Sequence, residues 1–258
     1  MKVVILAGGL GTRLLEETKT KPKAMIDIGG YPILWHILKM YSRYGINEAI
    51  ICAGYRAEAI KDFFHSYMIR NSTVTFDLRA RSVEIHASLV EPWKITVVDT
   101  GHETKTGGRL RRVREFIGDD TFHLTYADGL SDIDITALTL SHQRQHALVT
   151  LTAVSAPGRF GAVVLAKNDD SVQAFVEKPR GDGGYINGGF FVVQPKALDY
   201  IDADHTAWEE EPMQRLARDG HLRAYRHEGF WQSMDTLRDQ QYLNDLWTSG
   251  KAPWRSWD

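Results

Sequence analysis

Apolar positions along the chain come in two spacings. KVVILA (2–7) and EAIICAG (48–54) are short, unbroken runs rich in β-branched residues, suited to strands buried on both faces of a parallel sheet. TFHLTYADG (121–129), which ends at an acid, and ALVTLTAV (147–154) predict further strands. TVTFDL (73–78), SVEIHA (82–87) and KITVVDTG (94–101) alternate in part and predict short strands. Between these runs the spacing becomes helical. PILWHILKMYSRYG (32–45) sets Ile33, Leu34, Ile37, Leu38 and Tyr41 on one face, with Pro32 at its start and Gly45 at its stop. RAEAIKDFFHSYM (56–68) predicts a second helix, and TGGRLRRVREFIG (106–118) places Leu110, Val113 and Ile117 on one helical face. TLRDQQYLNDLW (236–247) predicts a closing helix. Strands and helices alternate, so the expected class is α/β: a Rossmann-like, mostly parallel sheet flanked by helices, with small β insertions.

The first strand runs into a loop, VVILAGGLGTRL (3–14), with glycines at Gly8, Gly9 and Gly11. Three glycines so close together are costly to fix in one conformation, which points to something approaching the backbone closely. In open parallel sheets ligands bind beyond the carboxyl ends of the strands, and backbone N–H groups there can cradle phosphate oxygens. Two familiar phosphate loops fail. The dinucleotide fingerprint lacks its third glycine, because Leu14 follows Arg13, and Pro22 leaves little room for the helix it needs. A P-loop needs Gly-Lys-Ser/Thr, and the only Gly-Lys pair, Gly250-Lys251, is followed by Ala252. What remains is a loop with its own cations: Arg13 as a bidentate phosphate grip and Lys23 as a point charge.

Composition narrows the field. The chain has 258 residues, a net charge of -2 and a pI of about 6.6. A nucleic-acid binder is usually markedly basic, so no nucleic acid is expected. The single cysteine, Cys52, fits a reducing compartment. No apolar run approaches the ~20 residues that span a bilayer, and the N-terminal run is too short for a signal peptide. A cytoplasmic protein without membrane contact is expected.

LAGGLGTRL followed by KPKAM resembles the signature of the sugar-1-phosphate nucleotidylyltransferases. EPWKITVVDTG, TGGRLRRV, TYADG, PGRFGAV, VEKPRGDGGYINGGFF, GFWQSMDTLRD and KAPWRSWD extend the match along the whole chain. They resemble the glucose-1-phosphate cytidylyltransferase branch in particular. The resemblance implies a single domain of the nucleotide-diphospho-sugar transferase type over 1–258. Its nucleotide-binding part would span about 1–130 and its sugar-binding part about 131–240, with a tail at 241–258. It implies CTP and glucose 1-phosphate as substrates, CDP-glucose and pyrophosphate as products, one or two Mg²⁺ ions as cofactor, and a homo-oligomer. The product would feed CDP-deoxysugar and O-antigen type biosynthesis.

Residue roles implied by the resemblance follow the motifs. Asp128 and Asp235 would hold the metal. Arg13 and Lys23 would bind the triphosphate and neutralise charge on the leaving pyrophosphate. Leu6, Ala7, Gly8 and Gly9, with Leu10, Gly11 and Thr12, would face the nucleotide, and Thr104 to Arg109, including Gly108, would close over it. Tyr126, Glu177, Lys178, Asn187, Gly188 and Asp235 would hold the sugar phosphate. Two alternatives stay open: a UTP- or dTTP-dependent enzyme of the same kind, and a nucleotide-sugar-binding regulator without catalysis.

Other features read as structural. Arg111, Arg112 and Arg114 in RLRRVR form a solvated helix face, as do His142 and His146, which lack a third metal ligand. Trp35, Tyr41 and Phe63 read as core. Trp247, Trp254 and Trp257 either dock the tail on its own subunit or lie in a subunit contact. In TYADG, Ala127 stands where close relatives commonly carry glycine; a strand-end position with negative φ would accept it.

Overall fold

A computed structural model describes residues 1–9, 21–88, 90–155, 162–165, 172–176 and 184–257. In chain order the strands are β1 (Lys2–Leu6), β2 (Asp27–Ile28), β3 (Tyr31–Pro32), β4 (Glu48–Ala53), β5 (Ser72–Asp77), β6 (Ser82–Ser88), β7 (Lys94–Asp99) and β8 (Phe122–Tyr126). There follow β9 (Gly129–Ser131), β10 (Val149–Val154), β11 (Ala162–Leu165), β12 (Val172–Val176), β13 (Ile186–Val193), β14 (Leu222–His227) and β15 (Trp231–Ser233). The helices are α1 (Ile33–Ser42), α2 (Ala57–Arg70), α3 (Thr106–Arg112), α4 (Arg114–Ile117), α5 (Ile135–Gln145), α6 (Glu211–Arg218) and α7 (Leu237–Thr248).

Seven strands form the central sheet in the order β14-β10-β13-β8-β1-β4-β7. Strand β13 runs against both neighbours, and the other pairings of this sheet are parallel. The unbroken apolar runs are explained by burial on both faces. On β1, Val3 and Ile5 join one core layer while Val4 and Leu6 join the other. On β4, Ala49 and Ile51 divide from Ile50 and Cys52 in the same way. The first layer is closed by α1, α2, α5 and α7, and the second by α3, α4 and α6.

Local chemistry sets the helix ends. Pro32 precedes α1, and Gly45 just beyond it takes a φ of 75°, the left-handed conformation that ends helices cheaply. A capping box opens α7: Thr236 Oγ1 accepts from the Asp239 N–H (3.2 Å), and Asp239 Oδ2 accepts from the Thr236 N–H (2.9 Å). Strands β5 and β6 pair as a hairpin apart from the central sheet.

Two expectations are settled by packing. The tail docks on its own subunit: Trp254 is fully buried, stacks on Phe230 with ring centroids 5.6 Å apart, and lies 6.5 Å from the Trp247 ring. His142 is not on a solvated face. It is buried under the sheet, with Nδ1 2.9 Å from Thr150 Oγ1, so a hydroxyl satisfies the ring that polar neighbours in sequence had placed in water. His146 is exposed. No described helix is long and apolar enough to cross a membrane.

Candidate active site

The carboxyl ends of β1, β4 and β7 are tied together by one side chain. Arg109, from α3, donates to Gly8 O (3.1 Å), Ala53 O (3.0 Å), Thr100 Oγ1 (2.7 Å) and His102 O (3.3 Å). It is only 4% exposed. A Cβ on Gly8 would collide with this guanidinium, and one on Gly54 would approach its Nη1 to 2.5 Å. Close backbone approach at Gly8 therefore serves the protein's own arginine, while the space beside Gly9 is open.

Above this brace lies a cleft of about 700 Å³, the size range of small-molecule sites. Its walls are residues 6–9, Lys23, Ala24, residues 102–106, Arg109 and residues 126–128. A smaller hollow adjoins it, lined by Gly129, residues 187–190 and Trp231, and shares Tyr126 and Asp128 with the cleft. Trp231 Nε1 donates to Gly188 O (2.7 Å), fixing the indole on that wall.

The two acids meet through a small ladder. Strand β9 pairs antiparallel with β15, setting Gly129 opposite Ser233, and the Met234 N–H donates to Asp128 O (2.8 Å). Asp128 and Asp235 thus leave the ladder side by side. Lys23, on a single 3₁₀ turn (Lys23–Met25) after Pro22, donates from Nζ to Asp128 Oδ2 (2.7 Å) and Asp235 Oδ1 (2.8 Å). Asp235 Oδ2 accepts from Ser233 Oγ (3.0 Å). Burial by itself lowers the Lys23 pKa, but the two carboxylates outweigh it and the net shift is upward, so the ammonium persists at neutral pH. Among the described residues no group of three or more His, Cys, Asp or Glu could hold an ion. Two paired carboxylates still match the Mg²⁺ habit of taking one or two acids and leaving other positions to water and phosphate.

The structure brings Leu6, Ala7, Gly8, Gly9, Lys23, Thr104, Arg109, Tyr126 and Asp128 to the cleft, and Asn187 and Gly188 to the hollow. Gly108 is turned away: its N–H donates to Thr206 O (3.2 Å), and a Cβ there would strike the Asp204 backbone. Leu10, Gly11, Thr12, Arg13, Glu177 and Lys178 lie outside the described residues. Sequence reasoning missed His102, Glu103 and Trp231. The first two follow the carboxyl end of β7, where position alone could have flagged them. Glu91 of the EPW motif is structural. It accepts from Lys39 Nζ (3.0 Å) and the Tyr67 hydroxyl (2.6 Å), pinning its loop to α1 and α2.

Ala127 does not belong to the residues with positive φ, and its N–H donates to Leu6 O (3.1 Å) as the strand ladder continues. The methyl is therefore unstrained. Ala127→Gly should change kcat/KM by less than ~10-fold, below about 1.4 kcal/mol. Steady-state kinetics of the variant check this, and a larger gain would mark alanine as a handicap.

The nucleotidyl transferase family profile matches residues 2–239. The chain is 54% identical to the glucose-1-phosphate cytidylyltransferase of Salmonella typhimurium over 100% of both chains. It is 43% identical to the probable glucose-1-phosphate cytidylyltransferase of Bacillus subtilis, again over 100% of both. HddC from Yersinia pseudotuberculosis overlays with a TM-score of 0.71 at 22% identity, across 95% of this chain and 99% of that one, a likeness of fold. A full-length kinship at this level, together with a mostly parallel sheet, places the protein: the chain belongs to the nucleotidyl transferase family, on its glucose-1-phosphate cytidylyltransferase branch.

Proposed function

We propose that the protein transfers the cytidylyl group of CTP to glucose 1-phosphate, giving CDP-glucose and pyrophosphate. The end-to-end 54% identity to a glucose-1-phosphate cytidylyltransferase carries this assignment. A phosphate oxygen of the sugar phosphate attacks the α-phosphorus of CTP. The new oxygen–phosphorus bond forms as the bond to the β-phosphate oxygen breaks, and pyrophosphate leaves with that electron pair. The nucleophile is already an anion, so no side-chain base is required. The chemistry asks for alignment and charge neutralisation.

The cleft would take the nucleotide, with the hexose at its Tyr126 and Asp128 edge, beside the hollow. Lys23 would neutralise charge developing on the leaving pyrophosphate. Asp128 and Asp235 are the residues that would hold Mg²⁺, which when bound screens the phosphate charges and fixes their geometry. Arg13, Glu177 and Lys178 keep the roles their motifs imply, as grips on the triphosphate, the hexose hydroxyls and the sugar phosphate. Arg109 acts one step back, bracing the loop that the nucleotide would lie on.

The assignment is tested by pyrophosphate release with glucose 1-phosphate, Mg²⁺ and each nucleoside triphosphate in turn. CTP should be used at least ~10-fold better than UTP, a gap of about 1.4 kcal/mol. Equal rates with UTP would remove the chain from the cytidylyl reaction. No release with any triphosphate would favour a binding protein without catalysis.

A further inference from the structure

The acidic segment AWEEEP (207–212) lines no part of the cleft, yet one of its acids holds two residues that do. Glu209 accepts at Oε1 from the Tyr126 hydroxyl (2.6 Å) and at Oε2 from the Thr106 hydroxyl (2.6 Å). Both distances are those of charge-assisted O–H···O⁻ bonds. Although the carboxylate is exposed, its backbone is anchored. Trp208 beside it is fully buried, and the Trp208 N–H donates to Thr106 Oγ1 (2.9 Å). The Lys105 N–H donates to Asp204 O (2.9 Å) and the Gly108 N–H to Thr206 O, so residues 204–209 clasp the first turn of α3.

The two hydroxyls come from opposite sides. Thr106 belongs to the 102–106 wall of the cleft. Tyr126 ends β8, two residues before Asp128, and lines both the cleft and the hollow. Its ring lies 2.7 Å from where a Cβ on Gly189 would fall, so it packs directly on the hollow's backbone. Tyr126 is thus the partition between the two spaces.

We propose that Glu209 is a positioning residue that ties the nucleotide wall at Thr106 to the Tyr126 partition and so fixes the sugar-phosphate space beside the nucleotide. Its kinetic consequence rests on the substrate assignment above; its mechanical one does not.

Both are measurable in the full chain with the variants Glu209→Ala, Tyr126→Phe and the double variant. Each single change should raise KM for glucose 1-phosphate by ~5–10-fold with a smaller effect on kcat, and the double should rise no further, because both delete the same bond. Glu209→Ala, which also removes the acceptor of the Thr106 hydroxyl, should raise KM for CTP, and Tyr126→Phe should not. Independently of turnover, amide hydrogen exchange over residues 102–109 should quicken by ~10-fold in Glu209→Ala. If the wild type makes no CDP-glucose, the substrate assignment fails while the exchange data still judge the tie. Wild-type exchange in Glu209→Ala, or KM effects that add in the double variant, would overturn it.

Discussion

Lys23→Met is expected to lower kcat/KM by about 1,000-fold, the scale set by removing a preorganised charge from a transition state. Methionine keeps the stem and loses the ammonium that now bridges Asp128 and Asp235. Two consequences follow from that one loss. The leaving pyrophosphate would have no lysine to meet its growing charge. The two carboxylates would also face each other without a counter-ion, which costs the folded state as well. Lys23→Arg should rescue little, because a planar fork cannot replace a point charge set between two acids at 2.7 and 2.8 Å. Single-turnover kinetics alongside urea unfolding separate the two effects. A Lys23→Met enzyme within ~10-fold of wild type would show that the bridge is structural only.

Asp128→Asn should lower kcat by at least ~100-fold, and Asp235→Asn by a similar amount. Asparagine keeps the shape and an acceptor for Lys23 while removing the charge a cation needs. Both variants should fold. The Asp128 backbone is held by the β9–β15 ladder, and Asp235 sits directly before the capped start of α7. Half-saturating Mg²⁺ should rise in each variant, which a defect in folding would not produce. Near-normal turnover in both at ordinary Mg²⁺ would mean that neither acid holds the metal.

Much of the sheet was legible because burial on both faces writes itself as unbroken β-branched runs, as in β1 and β4. The α1 boundaries were legible from Pro32 and Gly45. The reversal of β13 was not, since an apolar strand carries no mark of its direction; its connections and neighbours set that. Basic runs were equally opaque. In RLRRVR Arg109 turns inward to four acceptors, Arg112 divides between Thr100 O (3.0 Å) and Asp204 (2.6 Å), and Arg114 reaches out to Asp199 (2.7 Å). Periodicity assigns faces but not which of several arginines finds buried carbonyls. Motif reading picked out Lys23, Asp128 and Asp235, although 105 and 212 residues separate the lysine from the two acids. It could not find Glu209, which joins Tyr126 across 83 residues of chain from within an acidic run that looks like plain surface.

Attack by the sugar phosphate on the α-phosphorus of CTP is tested most closely by isotope. Glucose 1-phosphate carrying ¹⁸O at its three non-bridging phosphate oxygens is incubated with CTP, Mg²⁺ and the protein, and both products are weighed by mass spectrometry. Attack by the sugar phosphate on the α-phosphorus should deliver all of the label to CDP-glucose and none to pyrophosphate. Label in the pyrophosphate, or an absence of labelled CDP-glucose, would contradict the account.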